Sequence, residues 1–378
     1  MNDLRNLVET HVGNGTVPGA VAMVARGDRL EVEAAGPVER DSIFRIASIG
    51  KPMTAAVVMM LIDEGGIALD EPIAEWLPEL AAPNVVRTPK SPVEDVVAAA
   101  RPITVEDLLT FRAGWGFPAD FSLPAVQPLF SDVHAHMLEP PLIPAPDEWL
   151  VTLSRVPMLH QPGEAWLYNT CSDIQGALVA RVTGRPFDEF LAERLFGPLG
   201  MTDTGFHVPP EKLDRFTNLH DTAAAGEHTV RDAPDGHWSS RPAFASGAGG
   251  LVSTVDDCYA FARLLLDDGE ADGRRLLSPA SVRQMMTNHL TEAQRTASTL
   301  FLEGQGWGFG GSVDVEPIDP WNVPGRYGWV GGTGTTLHVT PSTGDVAILL
   351  TQVMMTGPTP TPLMRAFWQY ATSGNVIE

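Results

Sequence analysis

Strand-forming runs occupy the two ends of this 378-residue chain, and a long proline-punctuated stretch separates them. Near the start, after a short helix, P-G-A-V-A-M-V-A-R-G-D-R-L-E-V-E-A-A-G reads as two strands turning at Gly27-Asp28. Near the end, G-T-T-L-H-V-T and G-D-V-A-I-L-L-T-Q-V read as two more, turning at P-S-T-G, before a last helix around Pro362 to Tyr370. Strands at both termini with helices between them predict one antiparallel sheet built from the two ends and flanked by helices, an α/β (α+β) architecture. On this reading residues 1–71 and 243–378 form one discontinuous α/β lobe, and residues 72–242 form an inserted, mainly helical lobe with long loops.

The helices announce themselves through their ends. T-V-E-D-L-L-T-F opens on a capping box of Thr104 and Asp107, P-D-E-W-L-V-T-L-S-R starts at Pro146, and Ser278 with Pro279 marks another start. S-G-A-G-G-L-V-S-T-V-D-D-C-Y-A-F-A-R-L-L-L is a glycine-rich turn feeding a capped helix. A further helix begins within F-R-I-A-S-I-G-K-P-M-T-A-A-V-V-M-M-L-I-D-E-G-G, tolerates Pro52 in its first turn, and stops at Gly65-Gly66.

Composition narrows the partners. A formal net charge of -22 argues against nucleic acid and anionic membrane surfaces, because polyanions are repelled. Cys171 and Cys258 are too few and too far apart for a disulfide framework or a cysteine metal site. The N-terminal M-N-D-L-R-N-L-V-E-T-H-V has no apolar core of an export signal, and A-A-V-V-M-M-L-I falls far short of the roughly 20 residues of a membrane span. The expectation is a cytoplasmic protein that acts on a small molecule.

Chemistry enters at Ser48 and Lys51, three residues apart where the apolar helix begins. Residues i and i+3 share a helix face, so hydroxyl and amine meet within hydrogen-bond reach. The positive end of the helix dipole and burial both disfavour a lysine cation, which prepares Lys51 to take the proton that a serine must lose to become a nucleophile. The plain alternative is that Ser48 caps the helix and Lys51 is solvated.

Two later motifs weigh against that alternative. Tyr168 closes a loop in P-G-E-A-W-L-Y-N-T-C-S-D-I-Q-G, and Trp329, Gly331 and Gly332 precede a strand in Y-G-W-V-G-G-T-G-T-T-L-H-V-T-P. In this order, and with the flanking phrases L-F-G-P-L-G-M-T-D-T-G-F and S-G-A-G-G-L-V-S-T, the three motifs resemble those of the serine β-lactamase and penicillin-binding-protein superfamily, over nearly the whole chain. Class C β-lactamases, DD-peptidases and family VIII carboxylesterases share these phrases. The resemblance implies a β-lactamase/transpeptidase-like fold and a cofactor-free, metal-free serine hydrolase. It implies Ser48 as nucleophile, Lys51 as its proton acceptor or electrostatic partner, and Tyr168 as the phenol that shuttles protons. The backbone N–H groups of Gly332 and Ser48 would form the oxyanion hole, with Gly331, Trp329 and Thr170 beside the substrate.

Two departures from the superfamily pattern shape the expected activity. Its β-lactamases and peptidases usually carry Lys-Thr-Gly at the third motif, where this chain has Trp329-Val330-Gly331, and often Asn where this chain has Thr170. Losing the lysine removes a charge-assisted hydrogen bond to an anionic substrate, a contact of roughly 1.5–3 kcal/mol. The resulting Trp-x-Gly resembles the family VIII esterases, so a carboxylesterase on short or medium acyl esters is expected. A β-lactamase or D-amino-acid peptidase or amidase, an acyltransferase, and a family member that traps an acyl group without turnover are the alternatives.

Other features weigh less. Asp132-Val133-His134-Ala135-His136 contains an H-x-H, which reads as a solvated loop pair because no further ligands stand at metal spacing. No G-x-S-x-G elbow is present. Trp115, Phe117, Phe121, Trp149 and Trp166 are candidates for a pocket wall, although such aromatics are more often core packing. Arg45, three residues before Ser48, carries no role that the sequence argues.

Overall fold

The computed structural model describes residues 3–223 and 226–373. The expected hairpin is present as β1, Ala20–Arg26, and β2, Arg29–Ala35, with Gly27 at φ 54° supplying the left-handed turn. Helix α1, Leu4–Gly13, precedes it and is capped by Asp3. The C-terminal part of the chain adds five strands, β3 (Gly306–Trp307), β4 (Ser312–Val313), β5 (Tyr327–Gly331), β6 (Thr335–Thr340) and β7 (Asp345–Thr351). They form one antiparallel sheet in the order β3-β4-β5-β6-β7-β1-β2, so the last strand of the chain pairs with the first, Ala20 opposite Thr351. β6 and β7 are buried along their whole length, as strands covered on both faces must be. Helix α1 and the C-terminal helix Pro362–Ser373 pack together on the sheet, and Val255–Leu266 packs on β1, β6 and β7.

Four details differ from the sequence expectation. β3 and β4 have two residues each, too short to display an alternating pattern. Trp329 and Gly331 precede β6 as expected but also lie inside a strand of their own, β5. The helix at the Ser-x-x-Lys motif opens as a 3₁₀ turn, Ala47–Gly50, and becomes α2 at Lys51–Asp63. The middle of the chain contains strand pairs as well as helices, Asn84–Val86 with Val96–Ala98 and Leu219–Thr222 with His228–Asp232. Its helices include α3, Val105–Leu109, with the Thr104/Asp107 capping box intact, α4, Pro146–Ser154, and α5, Thr170–Thr183. Helix α5 packs against α2 and ends on Gly184 at φ 66°. Among the described residues no helix is long and apolar enough to cross a membrane.

Candidate active site

The serine sits on a turn held from both sides. Phe44–Arg45 pairs with Val252–Ser253, and the Ile46 N–H donates to the Leu251 carbonyl at 3.0 Å. From the sheet, the hydroxyls of Thr333 and Thr335 donate to the carbonyls of Arg45 and Ile46 at 2.6 and 2.8 Å. Between these anchors Ala47 adopts φ 47°, a left-handed conformation that a side chain disfavours. Ser48 follows at the start of the 3₁₀ turn, where backbone N–H groups have no partner within the turn. Every residue from Lys51 to Leu61 is buried, so α2 carries its first lysine into a dry interior.

There the Lys51 Nζ donates to Ser48 Oγ at 2.7 Å and to the Ala248 carbonyl at 2.5 Å. It also lies 4.7 Å from the centre of the Tyr168 ring. Burial pushes the Lys51 ammonium down to about 7, and the nearby charge of Asp173 partly opposes this. Asp173, in the first turn of α5, accepts from Ser246 Oγ at 2.7 Å and from the Ala248 N–H at 3.1 Å. Burial raises its carboxyl above the usual range while those bonds and Lys51 pull it back.

Tyr168 is fixed by a two-way backbone bridge to Phe117, at 2.8 and 3.0 Å, and its ring packs among Trp166, Phe301 and Trp329. Burial pushes its phenol up to about 12, against hydrogen bonds from Ser48 and Trp329. The Trp329 indole N–H donates to the Tyr168 hydroxyl oxygen at 2.6 Å.

These groups open onto a cavity of about 220 Å³ whose wall includes Ser48, Phe117, His134, Trp149, Tyr168, Phe301, Trp329 and Gly332. Among the described residues no lysine or arginine side chain is on that wall. The structure thus brings together Ser48, Lys51, Tyr168, Trp329 and Gly332. Gly331 instead packs against the nucleophile turn, where a Cβ would lie 2.6 Å from the Ile46 carbonyl. Thr170 corrects the expectation of a substrate contact. It is fully buried, and its hydroxyl pairs with His134 Nε2 at 2.9 Å behind the wall.

The H-x-H reading is also corrected, because the two histidines are not a solvated pair. The chain bends just after the short helix Leu129–Val133, so His134 turns inward while His136 stays exposed and pairs with Glu139 at 2.8 Å. His134 is held neutral by burial and by Lys51, its pKa lowered to about 3. Among the described residues no cluster of three or more His, Cys, Asp or Glu is placed to hold a metal ion. Of the five candidate aromatics, Phe117 and Trp149 reach the cavity, Trp115 and Trp166 are core, and Phe121 is half-buried against Phe117 and Phe130. Asp173, Ser246 and Ala248 escaped the sequence reading as site residues, and His134 was noticed only as half of the H-x-H. The only hint was the position of Asp173 in the helix that follows Tyr168, together with the S-G-A-G-G phrase that holds Ser246 and Ala248.

An antiparallel sheet from both termini, with a Ser-x-x-Lys turn facing a tyrosine loop, defines a β-lactamase-like fold. The profile of the Beta-lactamase family matches residues 4–367, and the chain belongs to that family. It is 37% identical over 357 residues to Protein Rv1367c of Mycobacterium tuberculosis (strain H37Rv), covering 89% of this chain and 86% of that protein. It is 29% identical over 362 residues to the lovastatin esterase of Penicillium rubens, covering 87% of each. The solved structure of EstCE1, described as a hydrolase with promiscuous acyltransferase activity, shares the fold with a TM-score of 0.78 at 22% identity, covering 97% of this chain and 96% of that one.

Proposed function

We propose that this protein hydrolyses short or medium acyl esters through an acyl-enzyme formed on Ser48. The observation that carries the reading is the 2.7 Å contact of Lys51 Nζ with Ser48 Oγ, behind a cavity wall on which no described residue is a lysine or arginine. With its pKa lowered to about 7, Lys51 is neutral in part at neutral pH and takes the Ser48 proton, whereas Tyr168 remains a phenol. The Ser48 oxygen attacks the ester carbonyl, and the developing oxyanion meets the N–H groups of Ser48 and Gly332. Tyr168 gives its proton to the departing alkoxide and is reprotonated from Lys51. Water then repeats the sequence on the acyl-enzyme.

A largely apolar wall, which among the described residues carries the Asp173 carboxyl but no lysine or arginine, suits a neutral ester better than an anionic β-lactam, which lacks a partner for its carboxylate. The test is steady-state hydrolysis of p-nitrophenyl butyrate beside the Ser48→Ala variant, with a chromogenic cephalosporin in parallel. Ester turnover that disappears in the variant supports the reading. Turnover that survives in the variant refutes it, and cephalosporin turnover above that of the ester would reverse the substrate assignment. Transfer of the acyl group to an added alcohol, detected as a new ester, is the related activity suggested by the description of EstCE1.

A further inference from the structure

Trp329 occupies the position where a cation would face the substrate, yet its one polar atom is turned away from that task. Its indole N–H donates to the Tyr168 hydroxyl at 2.6 Å, and its ring stands edge-on to Trp307 at 4.8 Å between centres. β5 is paired with β6 along its length, so the indole sits on a fixed backbone. Trp329 is 5% exposed, which leaves its N–H little competing water.

We infer that Trp329 is the positioning residue of the proton donor, aiming the Tyr168 O–H and holding the charge left on its oxygen when the proton leaves. A phenol oxygen that accepts from one side must direct its own proton elsewhere. Lys51 lies over the ring face at 4.7 Å, and Tyr168 and Ser48 line the same cavity on the side that remains. The tyrosine proton is thereby delivered towards the oxygen that leaves the Ser48 adduct. When it departs, the bond from Trp329 becomes a bond to an anion, and such bonds are the stronger kind. In this step the O–H bond of Tyr168 breaks, an O–H bond to the leaving alkoxide forms, and Lys51 returns the proton it took from Ser48.

The inference rests on the acyl-enzyme reading and extends it to the substrate class. A site built to protonate its leaving group serves alkyl esters, whose alkoxides leave poorly without a proton. The experiment compares ethyl butyrate with p-nitrophenyl butyrate, which share an acyl group but differ in their need for that proton. kcat/KM reports acylation alone in both. Trp329→Phe should lower kcat/KM for ethyl butyrate on the order of tenfold and change the p-nitrophenyl ester less than about twofold. In a Tyr168→Phe background the same substitution should cause no further loss, because the group it acts through is gone. Benzothienylalanine at position 329, which keeps the shape of the indole and replaces its N–H with sulfur, should reproduce the Trp329→Phe result if the smaller ring disturbs folding. Equal losses on both esters, or a full additional loss in the Tyr168→Phe background, would overturn the inference. Ser48→Ala separates the two levels: ester turnover retained in that variant sinks the acyl-enzyme reading itself, whatever Trp329 does.

Discussion

Lys51 carries its amine on the first turn of a helix with no solvent beside it, and the surrounding groups set how readily it holds a proton. Burial disfavours the ammonium, and the Asp173 carboxylate favours it. The pKa therefore falls from 10.5 to about 7, and ester kcat/KM should rise as pH increases through that value. Asp173→Asn removes the opposing charge, so Lys51 drops further and the acid limb moves to lower pH. A pH–rate profile of that variant checks the sign, and a limb displaced upward would show that Asp173 does not act on Lys51 through its charge. The same shift affects folding. Between pH 7 and 10.5 the unfolded chain binds the proton that the native lysine has released, so this residue makes stability rise with pH across that window. Residue spacing made the serine–lysine meeting legible in the sequence. The Asp173 contact was not legible, because it depends on α5 packing against α2 and on the loop that brings Ser246 and Ala248 between them.

Two adjacent glycines, the last residue of β5 and the one after it, sit in different surroundings. Gly331 faces the nucleophile turn, where an added Cβ would meet the Ile46 carbonyl at 2.6 Å and Thr335 Oγ1 at 2.2 Å. Gly332 has open space around it. Gly331→Ala should therefore displace the strand from the turn, cost about 1–3 kcal/mol by overpacking, and slow turnover as the Ser48 geometry shifts. Gly332→Ala should leave stability within about 0.5 kcal/mol of the parent. Chemical denaturation of the two variants, with ester turnover alongside, makes the comparison, and equal destabilisation would contradict the packing argument. The W-V-G-G phrase was visible in the sequence, but the two glycines could not be told apart there. What distinguishes them is a contact with residues more than 280 positions earlier in the chain. Hairpins and capped helices were readable because their signals lie within a few residues, whereas β3, β4 and the Phe44–Arg45 pairing are too short to leave a pattern.

Across the whole molecule, Arg45 ties the nucleophile segment to a distant part of the chain. Its guanidinium bonds to the Asp232 carboxylate and to the carbonyls of Thr217 and Ala233, and it lies 4.0 Å from the centre of the Phe216 ring. Both partners of the ion pair are buried, at 1% and 5% side-chain exposure. Arg45→Ala would leave the Asp232 carboxyl in the interior without its cation, held only by the His237 N–H, and should cost about 3–5 kcal/mol in a denaturant titration. A loss below about 1 kcal/mol would mean that water or a neighbour replaces the guanidinium. Sequence position alone suggested nothing for Arg45, since its partners come from a strand pair that the proline-rich middle segment did not reveal.

The left-handed Ala47 ahead of the nucleophile has an implication for how such a protein improves. A non-glycine residue in this conformation costs of order 1 kcal/mol, and here the cost is borne at the residue that aims Ser48. Glycine would relieve it, yet would also free the turn that the surrounding bonds hold. Selection for heat resistance alone should accept Ala47→Gly and lose speed with it, while selection for speed should keep the alanine. Thermal midpoint and kcat measured together on that one variant would show robustness and rate moving in opposite directions.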